Sequence, residues 1–207
     1  MAKKNKKRLS ERLYKALNEI VAKQLITDGK AYFDREGDVI TSQGTREALN
    51  RSDTKKDYVK ATHWFDIFWY YVRIEVRKDT DGISEIPFVS VSFFQDEGGI
   101  LNQLFRAEWD NYKQKEHPQP HWHITSFRDI GFETMNEDTL GDDGNPFAVL
   151  ENEDRKVELS KMHFAMAGDW QDGEKEKMVN DFTDENKFAN WLNNLFDHVH
   201  DELAYAI

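Results

Sequence analysis

Side chains that could do chemistry alternate along two short stretches of the chain, 104–110 and 121–125. The polar members are Arg106, Glu108, Asp110, His121 and His123, and apolar residues stand between them. Residues two apart on a β-strand point to the same side of a sheet. If the two stretches pair, one face therefore gathers a guanidinium, two carboxylates and two imidazoles. Such groups perform acid–base catalysis, bind anions or hold a divalent metal.

Two chemical routes are open to this set. In the first, a divalent metal such as zinc or manganese lowers the pKa of a bound water for attack on a phosphoester. Its ligands would be His121, His123, Glu108, Asp110 and His163. In the second, no metal takes part, His121 or His123 is the nucleophile or general base, and Arg106 stabilises the charge on the phosphate.

Two short segments resemble families that act on phosphates. Gln119-Pro120-His121-Trp122-His123 resembles the Gln-Pro-His-x-His segment of the histidine-triad nucleotide phosphorylase branch, although Thr125 stands where that branch usually has Gln. His123-Ile124-Thr125 resembles one half of the His-x-Thr/Ser pair of the two-histidine phosphoesterases. The later His163-Phe164-Ala165 lacks the hydroxyl residue of the second half. Both resemblances imply phosphate chemistry on nucleotides or nucleic acid.

Composition indicates a folded protein with an aromatic core. The chain has 207 residues, of which 39% are apolar, 32% charged and 13% aromatic. A chain of this length suits one domain that buries about 70% of its unfolded surface. The absence of cysteine excludes disulfides, thiolate catalysis and cysteine metal sites. Because no apolar run approaches the ~20 residues of a membrane span, we expect a cytoplasmic protein with no membrane partner.

Periodicity predicts an α+β domain. A helix is expected from an N-cap at Ser10 to about Thr27, and a small hairpin around 35–38. Strands are expected from Phe65 to Arg77 and in 88–94, whereas 45–60 gives no clear signal. A second helix should open at Thr183 or Asp184, with an apolar stripe of Phe188, Leu192, Leu195, Val199 and Leu203. We therefore expect an antiparallel sheet of four to six strands, with the N-terminal and C-terminal helices on its apolar face and a solvated polar face.

Charge is unevenly distributed around this domain. Residues 1–9 form a basic arm without acids, predicted to be disordered, and 10–207 form the single α+β domain. Residues 129–154 hold nine carboxylates and no Lys or Arg, in a stretch interrupted by glycine and proline. This stretch is a surface loop, a mimic of nucleic acid or a docking strip for a basic partner. The net charge of −11 weighs against a broad nucleic-acid-binding surface.

The residues lead to two function hypotheses of different classes. The first is a small cytoplasmic hydrolase or transferase that acts on a phosphodiester or nucleotide through the His/carboxylate cluster, as an effector of a bacterial conflict or defence system. The second is a non-catalytic acidic interaction protein, such as an antitoxin, inhibitor or complex subunit. His198 and His200 are expected to be structural or surface residues, because two positions apart on a helix they lie on different faces. His63, beside Trp64 and Phe65, is expected to be a packed or hydrogen-bonded histidine rather than a ligand.

Overall fold

The computed structural model of the chain describes residues 9–22, 25, 33–51, 56–78, 84–110, 121–124 and 184–206. Its helices are α1 (Leu9–Ala16), continued by a π-helical turn (Leu17–Val21), and α2 (Glu185–Ala206). Its strands are β1 (Phe33–Glu36), β2 (Val39–Ser42), β3 (Arg46–Arg51), β4 (Lys56–Phe65), β5 (Phe68–Lys78), β6 (Ser84–Glu97), β7 (Ile100–Asp110) and β8 (His121–Ile124). The architecture is α+β, as expected. In the part of the chain that the structure describes, the sheet has eight strands, rather than the four to six expected.

The main part of the sheet is an antiparallel array in the order β1-β2-β5-β6-β7-β8. β4 pairs with the first residues of β5, and β2 pairs with β5 further along, at Arg73–Glu75. The central strand β6 is buried on both faces, since Val89, Val91, Ser90 and Ser92 are all buried. Both faces of the sheet are therefore covered near its centre.

A hairpin made by β3 and β4 covers one of these faces. The first half of β4 pairs with β3, whereas its last residues pair with β5, so one long strand joins the hairpin to the sheet. Asn50 and Arg51, at the end of β3, bond to side chains of β6 and β7. The sequence left 45–60 unassigned, and this part of the chain contains β3 and the first half of β4.

Three tight turns between neighbouring strands contain residues with positive φ. Gly37 has a φ of 62° in the β1–β2 turn, and Gly98 and Gly99 have φ of 59° and 100° between β6 and β7. Asp66 has a φ of 45° between β4 and β5, a conformation that a short polar side chain tolerates. The strand expected from Phe65 to Arg77 is therefore interrupted by a turn at its start.

The opposite face of the sheet meets the helices in an aromatic core. Phe196 of α2 lies with its ring centroid 5.0 Å from Tyr70 of β5 and 5.8 Å from Phe93 of β6. The predicted stripe of α2 is confirmed, since its five members Phe188, Leu192, Leu195, Val199 and Leu203 are at most 1% exposed. Burial of this stripe explains why a helix of this sequence docks on the sheet.

The two helices start in different ways. Asp184 caps α2, because its Oδ1 accepts hydrogen bonds from the backbone N–H groups of Asn186 and Lys187, each at 2.9 Å. Ser10 is not an N-cap. It lies inside α1, where it is buried, and its hydroxyl bonds Oδ1 of Asp38 at 3.0 Å. The hydroxyl therefore ties α1 to the β1–β2 turn.

The π-helical turn after α1 brings a side-chain amide to the first residue of β1. Oδ1 of Asn18 accepts the Phe33 backbone N–H at 3.0 Å, and its Nδ2 donates to the Phe33 carbonyl at 3.3 Å. One amide thus satisfies both backbone groups of Phe33. This pair of bonds sets where the helical segment meets the edge of the sheet.

Candidate active site

The pairing of β7 with β8 brings the two chemically interesting stretches together. Arg106 lies opposite His123 and Glu108 lies opposite His121 in the register. The predicted pairing of the two stretches is confirmed. On the other side of β7, Ser92 lies opposite Arg106 and Ser90 lies opposite Glu108. In an antiparallel ladder, directly opposed residues share a face, so these positions form two neighbouring rows across the sheet.

One carboxylate oxygen connects the charged groups of the site. Oε2 of Glu108 lies 3.1 Å from Nη2 of Arg106 and 3.1 Å from Nε2 of His123. Nη1 of Arg106 also donates a hydrogen bond to the carbonyl oxygen of Arg51 in β3. The guanidinium therefore joins the carboxylate to the hairpin that covers the face, and the imidazole contacts the same carboxylate oxygen.

Exposure increases stepwise across this cluster. The side chain of Arg106 is 3% exposed, that of Glu108 is 12% exposed and that of His123 is 29% exposed. The prediction that this face is exposed to solvent is wrong here, because β3 lies over it. Ser92 bonds Oδ1 of Asn50 at 2.7 Å, and the backbone N–H of Arg51 donates to Oε1 of Gln103 at 2.7 Å. These bonds hold the end of β3 against β6 and β7.

The arrangement is suited to acid–base chemistry at the imidazole. Nε2 of His123 lies within ion-pair distance of Oε2 of Glu108, and a nearby carboxylate stabilises the protonated form of a histidine. Arg106 fixes the carboxylate in turn. The described atoms thus form an Arg106–Glu108–His123 chain that ends at its most exposed member.

Several residues predicted for the site lie partly or wholly outside the described part of the chain. Asp110 ends β7 opposite Phe88, and His121 begins β8, but the side chains of Asp110 and His121 are not described. His163, the acidic stretch 129–154 and residues 1–8 lie outside the described residues altogether. Within the described residues, no group of three or more His, Asp or Glu side chains is arranged to hold a metal ion.

A second arginine–carboxylate pair lies on the same face and was missed from the sequence. Arg73 of β5 lies opposite Ser90, which in turn lies opposite Glu108, so Arg73 belongs to the row of the candidate site. Its Nε and Nη2 lie 3.2 Å and 2.9 Å from Oε1 of Glu75. The signal was present as a repeated Arg-x-Glu, at 73–75 and at 106–108. The two pairs differ in burial, since Arg73 and Glu75 are each 42% exposed.

Tyr71 stands beside this second pair. Burial raises the pKa of the Tyr71 phenol, and the positive charge of Arg73 and a hydrogen bond to it act in the opposite direction. In the register, Tyr71 lies opposite Ser92, so it continues the row that contains Arg106 and His123. Polar side chains therefore extend across four strands of the same face.

Two other histidines that are described in detail have packing roles. Nε2 of His63 lies 2.9 Å from the carbonyl of Asp66, and its ring packs on Trp69 at a centroid distance of 5.0 Å. The ring of His200 lies 4.3 Å from that of Phe65. These contacts confirm the structural interpretation of His63 and add a ring contact for His200.

Comparison with known proteins provides no relative for this chain. No protein-family model, curated protein or solved structure matches it. Among the helices in the described residues, none is long and apolar enough to cross a membrane.

Proposed function

We propose that the chain is a hydrolase or transferase that acts on a phosphodiester or nucleotide through His123 and Glu108. One observation carries the proposal: Oε2 of Glu108 lies 3.1 Å from Nε2 of His123 and 3.1 Å from Nη2 of Arg106. A carboxylate at this distance from an imidazole stabilises the imidazolium that forms when the ring acts as a general base. The imidazole is the most exposed of the three groups, which supports access by a substrate.

In the metal-free route, His123 takes a proton from water or from an acceptor hydroxyl. The oxygen that loses this proton forms a bond to phosphorus, the bond from phosphorus to the leaving oxygen breaks, and the proton is returned to that oxygen. Glu108 stabilises the imidazolium between these steps. Arg106 holds the carboxylate and is also proposed to stabilise the charge that develops on the phosphate. His121, opposite Glu108 in the register, is the alternative base or nucleophile.

A divalent ion, zinc or manganese, is the alternative route for the same chemistry. Its proposed ligands are His121, His123, Glu108, Asp110 and His163, which offer the nitrogen and carboxylate donors that both metals accept. In that case the ion would supply an activated water, and these residues would hold it. Elemental analysis of the purified chain, before and after treatment with a chelator, separates the two routes.

The test of the function is turnover of phosphodiesters by the purified chain. Suitable substrates are bis(p-nitrophenyl) phosphate, single-stranded RNA and single-stranded DNA, with and without added manganese or zinc. His123→Ala should lower the rate by a factor of about 10² to 10⁴, the usual contribution of a general base. His121→Ala tests the alternative base in the same assay. His200→Ala is the matched control, because this imidazole is 47% exposed on α2 and packs on Phe65.

Two results would count against the enzyme. Absence of turnover by the folded wild-type chain on all of these substrates would refute the proposal. Equal activity of the His123→Ala and His200→Ala variants would remove His123 from the mechanism. Circular dichroism and thermal unfolding of each variant show whether a loss of rate comes from a loss of fold.

A non-catalytic interaction protein is the second candidate, and the burial of the cluster favours it. Arg106 is 3% exposed and bonds Arg51 and Glu108, so the cluster also serves to fasten β3 to the sheet. In this candidate the acidic stretch 129–154 binds a basic protein partner. Comparing pull-downs with the full chain and a chain shortened in 129–154 tests it. If both capture the same partners, the docking role of the stretch is removed.

A further inference from the structure

Two buried side chains of β7 hold the backbone of Arg51 by both of its polar groups. Oε1 of Gln103 accepts the backbone N–H of Arg51 at 2.7 Å, and Nη1 of Arg106 donates to the Arg51 carbonyl oxygen. The last residue of β3 is therefore bound by two residues that are three positions apart on one strand of the sheet.

A β-bulge in β7 explains how these two side chains reach the same face. Residues three apart on a regular strand point to opposite faces of a sheet. The register with β6 pairs Phe105 with Phe93 but Gln103 with Phe94, so Leu104 is an extra residue in β7. Leu104 and Phe105 are consecutive, yet both belong to the core that the helices cover. The bulge therefore places Gln103 on the face of the candidate site.

The contacts continue from Arg51 to the imidazole of the site. The guanidinium that binds the Arg51 carbonyl also lies 3.1 Å from Oε2 of Glu108. The same oxygen lies 3.1 Å from Nε2 of His123. A carboxylate held in this way keeps one position relative to the imidazole, whereas a carboxylate without such a contact samples several rotamers. Gln103 is at one end of this series of contacts and His123 is at the other.

We propose that Gln103 is a positioning residue for the Glu108–His123 pair. By fixing the Arg51 backbone, its amide keeps the carbonyl oxygen in place for Arg106, and Arg106 then holds the carboxylate beside the imidazole. Because Gln103 is 4% exposed, it acts through these neighbours rather than by contact with a substrate. The inference deepens the proposed function and, where it concerns turnover, rests on it.

Three substitutions of Gln103 and one control test this role in the full chain. Gln103→Met removes the amide and keeps an unbranched side chain, whereas Gln103→Asn keeps an amide and shortens its reach by one methylene. Gln103→Glu keeps an acceptor oxygen at the original length. Gln95→Met is the matched control, because Gln95 is a 2% exposed glutamine of β6 that lies opposite Phe68 of the helix-covered core.

The first measurement does not depend on turnover. NMR signals of the histidine rings at one fixed pH, assigned with His123→Ala, report the surroundings of the imidazole, and amide hydrogen exchange reports the Arg51 N–H. Gln103→Met and Gln103→Asn should shift the His123 ring signals. They should also speed exchange of the Arg51 N–H, relative to the other amides of β3, by about two- to tenfold, the effect of one hydrogen bond. Gln103→Glu and Gln95→Met should leave both close to wild type.

The second measurement is turnover of bis(p-nitrophenyl) phosphate. Gln103→Met and Gln103→Asn should lower kcat about tenfold or more, since a misplacement of about 1 Å at a reacting group costs up to about 10²-fold. KM should stay near the wild-type value, because a buried Gln103 does not contact the substrate. Gln103→Glu should restore most of the lost kcat, and Gln95→Met should leave both constants unchanged.

The outcomes separate this inference from the function on which it rests. Unshifted His123 ring signals in Gln103→Met and Gln103→Asn overturn the positioning role, whether or not the chain turns over a substrate. An unchanged kcat of these variants in an active chain overturns it as well. Shifted ring signals without any turnover by wild type support the positioning role and refute the catalytic proposal. Equal changes in Gln95→Met indicate a general loss of packing and overturn the assignment to Gln103. If Gln103→Met does not fold, Gln103→Asn decides by the same readings.

Discussion

Replacing Arg106 by Met should destabilise the fold far more than the same change at Arg73. Both arginines pair with a glutamate two residues later on the same face, at 3.1 Å for Arg106 and 2.9 Å for Arg73. The pairs differ in burial, since Arg106 and Glu108 are 3% and 12% exposed and Arg73 and Glu75 are each 42% exposed. Removing one partner of a buried pair costs about 3–5 kcal/mol, because the other charge stays buried. An exposed pair contributes about 0–1 kcal/mol.

The loss at Arg106 has a second source, since its guanidinium also donates to the Arg51 carbonyl. A buried carbonyl that loses its donor costs about 1–3 kcal/mol, and this cost is part of the total above. The double variant Arg106→Met/Glu108→Leu removes both charges and should recover a large share of the stability lost in Arg106→Met. Glu108→Leu alone completes the double-mutant cycle.

Urea unfolding followed by tryptophan fluorescence measures these differences. The free energy of unfolding should fall by about 3–5 kcal/mol in Arg106→Met and by less than about 1 kcal/mol in Arg73→Met. If the free energy of unfolding of Arg106→Met falls by less than about 1 kcal/mol, β3 does not exclude water from this face in solution. If the double variant is less stable than Arg106→Met, the reasoning about an uncompensated charge is refuted.

Three further changes test the packing of the fold. Leu195→Ala should cost about 2–5 kcal/mol in urea unfolding, because Leu195 is 0% exposed in the core; a cost below half a kcal/mol would mean that α2 is not docked. Gly44→Ala should strongly lower the melting temperature, because a Cβ there would lie 2.1 Å from the backbone oxygen of Lys60; an unchanged melting temperature would show that β4 can move away. Burial raises the pKa of the Tyr70 phenol, so stability should fall as pH rises above about 10, where the unfolded phenol ionises and the folded one does not. Tyr70→Phe should flatten this alkaline decline, and an unchanged decline would contradict it.

The sequence predicted the elements whose signals are local. The β7–β8 pairing follows from the alternation at 104–110 and 121–125, and α2 follows from its apolar stripe and its Asp184 cap. Each of these two strands and the helix shows its pattern within its own segment of chain. The turn at Asp66 was missed because it contains no glycine or proline, the residues that most strongly mark turns.

The cover over the candidate site could not be predicted, because no local sequence pattern marks it. β3 has the sequence Arg-Glu-Ala-Leu-Asn-Arg, which shows no strand periodicity. Its conformation depends on pairing with β4 and on bonds from Asn50 and Arg51 to residues 42 to 55 positions away. Such tertiary contacts outweigh local strand propensity. Alternation along β7 therefore identified the polar face correctly and left its burial unknown.

The Asn18 amide has a consequence for how copies of this chain meet one another. β1 is the last strand of the described sheet on its side, and an edge strand offers unpaired N–H and C=O groups to any other extended chain. Here the Phe33 N–H and carbonyl are taken by Asn18, and the Arg35 N–H is taken by Oδ1 of Asp34 at 2.8 Å. An incoming strand would have to displace both side chains before it could add to β1. Two short polar side chains thus protect this edge against aggregation.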